Sequence, residues 1–248
     1  MIAIRNLHKR LGGKSVLAGV NLEIGRGETV VVVGPSGTGK SVLLKHVLGL
    51  IQPDSGSIVV DGEEIVGRRE HELNRVRRKF GMLFQGAALF DSMTVGENVS
   101  LALFEHSDLD RDQIERRVRE RLEWVGLKDV ENVKPASLSG GMRKRVGLAR
   151  AIAMDPQIIL YDEPTTGLDP IMADVIDQLI RGLQQRMGVT SIAVTHDMHS
   201  AFKIGDRIAM LLGGTIVFNG TPDEMRNTRE PVVRQFMEGT SEGPIQPV

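Results

Sequence analysis

The sequence predicts an α/β fold: a parallel sheet flanked by helices, entered from an antiparallel β region. Three observations carry this. Thr29-Val30-Val31-Val32-Val33 is a β-branched run bounded by glycines, the pattern of a strand buried on both faces. It runs into Gly34-Pro35-Ser36-Gly37-Thr38-Gly39-Lys40-Ser41, the Gly-x-x-x-x-Gly-Lys-Ser spacing of a phosphate-binding loop, and then into Val42, Leu43, Leu44, Val47 and Leu48 at helical spacing. In the second half, apolar strands at 158–161 and 190–194 bracket a helical stripe from Ile171 to Leu183, the alternation of βαβ units.

Taken in order, Ile2 to Ile24 alternates apolar and polar residues and breaks at Gly12-Gly13 and Gly19, which predicts an antiparallel meander burying Val16, Leu17, Val20, Leu22 and Ile24. Gly25-Arg26-Gly27-Glu28 turns into the buried strand. Ile58-Val59-Val60 is another strand, closed by a turn at Asp61-Gly62. The charged stretch 68–79 reads as a solvated helix face. Phe80 to Phe84 is a strand leading to Gln85. The segment 86–95 after it is unusually apolar, and Leu89, Phe90 and Met93 either pack inward or form a docking patch for another chain.

Asp110, with Gln113 three residues on, caps a helix whose buried stripe is Ile114, Val118, Leu122 and Val125, ending at Gly126. Trp124 lies off that stripe and is read as packing. A further helix runs from the stretch Leu138-Ser139-Gly140-Gly141-Met142 through Arg150. Residues 207–212 and 215–218 form a hairpin across Gly213-Gly214, and Thr221-Pro222 starts a short helix. The last residues, from Gly239, read as a tail.

Composition bounds the function. The 248 residues are 41% hydrophobic and 25% charged, enough for a real core. The net charge of −1 gives no field for nucleic acid, so no nucleic-acid partner is expected. With no cysteine, disulfides, zinc ribbons and cysteine-ligated iron–sulfur clusters are excluded. Residues 1–6 lack the pattern of a signal peptide and no stretch is long enough to span a bilayer, so a cytoplasmic chain that serves a membrane through a partner is expected.

The chemistry follows from residue types. Glycines let several N–H groups converge on one anion at a helix N-terminus; Lys40 reaches the β- and γ-phosphates, and the Ser41 hydroxyl can bind Mg²⁺. Ile158-Ile159-Leu160-Tyr161-Asp162-Glu163 is an apolar strand ending in two acids. A strand ending in surface acids is common. Joined to a phosphate loop, this one reads as a metal-holding Asp162 and a general base at Glu163 that polarises water for attack on a γ-phosphate.

With Leu138-Ser139-Gly140-Gly141-Met142 added, the motifs in order resemble the ATP-binding cassette family over nearly the whole chain. The resemblance implies a P-loop nucleotide-binding domain over residues 1–238. Its parts would be a mixed RecA-like core, an antiparallel β subdomain and a helical signature subdomain at about 87–154, with a tail at 239–248. It implies that Gln85 senses Mg²⁺ and the attacking water, and that Ser139, Gly140 and Gly141 grip a γ-phosphate. Asp169 would lie in the aspartate loop and His196 would be the switch histidine. It implies ATP and Mg²⁺, and a homodimer in which 34–41 of one copy face 138–142 of the other.

Two residues depart from the family pattern: Met142 replaces a glutamine, and Leu11 stands where an aromatic residue usually stacks on adenine. Looser discrimination among nucleoside triphosphates is expected. The segment 84–95, the methionine signature and the ending from Val233 resemble the ATPase subunits of Mla/Mce-type phospholipid transporters. That resemblance implies an integral-membrane permease and an Mce-domain protein as partners, phospholipid as cargo, and a place on the inner face of the membrane. An importer of another small substrate and a soluble cofactor-assembly ATPase are the alternatives. Ile245 and Val248 are expected to hold the tail against the dimer mate.

Overall fold

A computed structural model describes residues 1–246; Val248 of the expected tail contact lies outside the described residues. In chain order the elements begin with β1 (Ile2–Leu11), β2 (Lys14–Ile24), β3 (Thr29–Val33), α1 (Lys40–Val47), β4 (Ser55–Val60), β5 (Glu63–Glu64) and α2 (Glu70–Arg77). There follow β6 (Phe80–Leu83), α3 (Val95–His106), α4 (Arg111–Trp124), α5 (Gly140–Ala151), β7 (Ile158–Asp162) and α6 (Pro170–Met187). The chain closes with β8 (Thr190–Thr195), α7 (Met198–Ile204), β9 (Arg207–Leu212), β10 (Thr215–Gly220), α8 (Pro222–Asn227) and α9 (Pro231–Glu238). It divides into two compact units, one of Met1–Asn74 with the residues from Ile192 onward, the other Arg75–Ser191.

In the first unit, β1 pairs antiparallel with both β2 and β4 in the order β2-β1-β4-β5. The glycine break expected at 12–13 is the β1–β2 turn. Gly19 ends no strand: it sits inside β2 at a positive φ, between the residues paired with Leu7 and His8, where the β1–β2 register shifts, and Asn6, also at positive φ, lies at the neighbouring shift. The irregularity twists the ladder without ending it. Every residue of β3 is buried, and it lies parallel to β9, which pairs antiparallel with β10. Glu28 and Arg207 pin the entrance of β3 to β9 through a two-pronged ion pair at 2.7 and 3.0 Å.

In the second unit, β6 and β7 are parallel, with Phe80 opposite Ile158 and Leu83 opposite Tyr161. This register brings the residues just past both strands, Gln85 and Glu163, to the same end of the pair. Helix α5 ends against β6: a Cβ at Gly81 would lie 2.0 Å from the Ala151 carbonyl oxygen, so only glycine fits there. Helices α3 and α4 start with reciprocal capping boxes, Thr94 with Glu97 and Asp110 with Gln113. Trp124 packs between the guanidinium groups of Arg121 and Arg186, at 3.9 and 3.8 Å.

The helix from Pro170 has its expected stripe at Ile176, Ile180 and Leu183, all buried, but Ile171 is 78% exposed. As the second residue after the cap it precedes the face that meets the core. Helices α3, α7 and α9 extend the element list beyond the sequence reading.

Candidate functional site

The phosphate loop belongs to the first unit. It starts so close to β9 that a Cβ on Gly34 would stand 2.3 Å from the Leu211 carbonyl oxygen. Lys40 is buried, and its ammonium donates to the carbonyls of Gly34 (2.7 Å) and Pro35 (3.0 Å), while Thr38 Oγ1 donates to Pro35 O at 2.8 Å. The next residue, Ser41, opens the helix half-buried.

Helix α1 starts unlike most of the others. Helices α3 to α8 are capped by the side chains of Thr94, Asp110, Ser139, Asp169, Asp197 and Thr221. At α1 the cap residue is Gly39 in the left-handed region, with no side-chain cap and no acid in the first turn. A helix N-terminus dressed with glycines, a lysine and a serine suits the oxygens of a triphosphate. His196 also belongs to this unit: it is exposed directly after β8, and Asp197 behind it caps α7 by accepting from His199 N at 2.8 Å. Leu11, at the end of β1, is 44% exposed.

The second unit carries the acids. Asp162 ends β7 half-buried. Glu163 follows, buried and at φ 48°, a backbone region that L-residues other than glycine, asparagine and aspartate seldom occupy. Its carboxylate accepts from Thr166 Oγ1 at 3.0 Å. Gln85 is exposed beyond β6.

Ser139 is exposed and caps α5 by accepting from Met142 N at 3.2 Å. Gly140 and Gly141 form the first turn of that helix, and the site a Cβ on Gly141 would need is taken by the Met172 side chain. Asp169 accepts from Ile171 N and Met172 N as the cap of α6. Among the described residues, no group of three His, Cys, Asp or Glu forms a metal cage. Within this unit Gln85 and Asp162 carry hard oxygen donors, the kind that suits Mg²⁺.

Two groups here were given no role in the sequence. Lys144 is buried, and its ammonium donates to the carbonyl of Gln85 and, at 3.0 Å, to that of Glu163. Burial pulls its pKa down to about 8 against the opposing pull of the Asp162 and Glu163 carboxylates. Arg150, two turns on, donates to the carbonyls of Ala87 (2.6 Å) and Ala88 (2.7 Å), both residues at positive φ. The signal was legible in the spacing: Gly141, Lys144, Leu148 and Ala151 fall on the buried side of α5, so one cation stands in an otherwise apolar stripe.

A glycine-built phosphate loop and a strand closed by two acids, on a parallel-stranded α/β framework, define a P-loop nucleoside triphosphatase. The chain belongs to the ABC transporter family, whose model matches residues 17–166. It is 43% identical over 244 residues to the probable ribonucleotide transport ATP-binding protein mkl of Mycobacterium leprae, covering 98% of this chain and 70% of that one. It is 38% identical over 246 residues to the intermembrane phospholipid transport system ATP-binding protein MlaF of Haemophilus influenzae, covering 99% and 93%. Among solved structures it is similar to a dimeric ATP-binding cassette in a post-hydrolysis state bound to ADP and Pi. That match has a TM-score of 0.83 and 35% identity, and it covers 90% of this chain and 99% of that one. The chain is therefore an ABC-type ATP hydrolase.

Proposed function

We propose that this chain powers phospholipid transport between membranes, as a homodimer attached to an integral-membrane permease on the cytoplasmic face. The observation that carries this reading is the 38% identity to MlaF, which spans 99% of the present chain and 93% of the relative. An Mce-domain protein across the membrane is the further partner, and nucleic acid is not one. No helix among the described residues is long and apolar enough to cross a membrane, which fits a chain that acts through a permease.

In this reading Gly34, Pro35, Ser36, Gly37, Thr38, Gly39 and Lys40 bind the triphosphate of ATP through backbone N–H groups and one ammonium. Ser41, Asp162 and Gln85 hold Mg²⁺, which when bound neutralises charge on the β- and γ-phosphate oxygens. Glu163 takes the proton of the attacking water, and His196 orients the γ-phosphate. Ser139, Gly140 and Gly141 of a second copy, with Asp169 beside the interface, complete each pocket. Loss of the γ-phosphate contacts on hydrolysis separates the two copies and so drives the permease.

Isolating the complex from native membranes on tagged E163Q protein tests the assignment. The expected yield is a polytopic permease with an Mce-domain protein, and reconstituted into liposomes the wild-type complex moves labelled phospholipid in an ATP-dependent way. Recovery of a soluble scaffold in their place would sink it. The 43% identity to the mkl protein favours a second reading, uptake of another small solute. A permease without an Mce-domain partner and without lipid exchange would select that one.

A further inference from the structure

One cation of the second unit remains unused by this account of hydrolysis. Lys144 is 4% exposed, yet its ammonium meets main-chain oxygens at two separated points, the carbonyls of Gln85 and Glu163. Those residues lie just past the ends of two neighbouring parallel strands, and each is followed or occupied by strained backbone: Ala87 and Ala88 after Gln85, and Glu163 itself. Backbone in the left-handed region persists only where its surroundings over-determine it. A charged donor shared between two carbonyls supplies that constraint, since hydrogen bonds to ionised groups are the stronger kind.

We propose that Lys144 is a positioning residue for ATP hydrolysis, fixing from α5 the main chain of both Gln85 and Glu163. The proposal rests on the assignment of those two residues to water and Mg²⁺. It adds that their geometry is set from the helix that Ser139 caps. The helix offering its N-terminal serine to the nucleotide of a second copy thus also holds the hydrolytic residues of its own, one and a half turns further on. A shift of α5 would be felt at Gln85 and Glu163 together.

Three full-length variants decide the matter: K144M, which keeps length and loses the donors; K144R, which keeps charge and two or more donors; and E163Q. For each, kcat and KM for Mg-ATP are measured, with the Kd of a fluorescent ATP analogue and the melting temperature. K144M is expected to lose kcat by about 10- to 100-fold, the scale of a small misplacement of reacting groups, with KM and Kd within about threefold. K144R is expected to recover most of kcat.

An unchanged kcat in folded K144M overturns the proposal. So does a joint fall of nucleotide affinity and melting temperature in K144M and K144R alike, because a mere core prop would give that result. If K144M is insoluble, K144Q, with a donor but a shorter reach, is judged by the same split. E163Q separates the two layers. If it hydrolyses ATP at the wild-type rate, the general-base assignment fails, while the K144M result still decides whether the Lys144 contact to Gln85 positions that residue.

Discussion

At the scale of single residues, the acids are distinguished by surroundings more than by identity. Asp162 and Glu163 are neighbours, but Glu163 is buried, held by Thr166 and placed on strained backbone. In the role of general base proposed for Glu163, its removal costs about 10²- to 10⁴-fold in rate, so E163Q should bind ATP normally and lose turnover by at least that lower figure in a phosphate-release assay. Leu11 offers an exposed aliphatic surface and no ring. Turnover of GTP is therefore expected within about tenfold of ATP, with Leu11→Tyr widening the gap, because stacking on a base contributes about 1–3 kcal/mol. A strong adenine preference in the unaltered protein would show that the base is read elsewhere.

At the scale of elements, local chemistry sets where helices begin. Thr94 and Glu97 satisfy each other's backbone donors at the start of α3. Thr94→Ala should lower unfolding free energy by about 1 kcal/mol in urea titration, with little effect on ATP affinity. Much of this level was legible beforehand. The all-valine core of β3, the strand ending at Asp162, and the caps at Asp110 and Thr221 stand where their residue patterns put them. Where the sequence misled, contacts distant in the chain decided the outcome. Gly19 broke the alternation without breaking the strand, because the pairing with β1 resumes on both sides of its register shift. Asn98 is buried and binds Phe90, Met93 and Thr94, so the apolar segment before α3 is ordered by a polar residue beyond it. Of the three residues in question, Leu89 and Met93 are half-buried and Phe90 is 50% exposed, so none of them packs fully inward. Lys144 was given no role of its own because Arg143 and Arg145 on either side mask the apolar stripe of Gly141, Leu148 and Ala151 in which it stands.

At the scale of the molecule, a few ties join residues far apart in the chain. Burial raises the pKa of Glu28, but hydrogen bonds from Arg207 and Gly25 overcome it and hold the carboxyl below its ordinary value of 4.5. A folded-state value below the unfolded one stabilises the protein above the unfolded value, and that contribution is lost as pH falls through the folded one. The melting difference between wild type and E28Q should thus be largest near neutrality and close below about pH 4. At the other end, Gln235 on α9 clasps the tail, accepting from Ile245 N at 2.7 Å and donating to Ile245 O at 3.0 Å. We propose that the tail so held reaches the dimer mate; deletion of residues 239–248 with unchanged dimerisation in analytical ultracentrifugation would refute that.

The register of β6 on β7 has one more consequence, for what lengths of chain this protein tolerates. A residue inserted between Phe80 and Gln85 would carry Gln85 about 3.3 Å along the sheet and turn its side chain to the opposite face. The Lys144 ammonium could then no longer reach both carbonyls. An insertion at 108–109, between the cap residues Ser107 and Asp110 of neighbouring helices, disturbs no such alignment. A scan of single-residue insertions should find the strand interval intolerant and the interhelix interval permissive, which makes the spacing itself, and not only the residues spaced, a requirement of the proposed hydrolytic site.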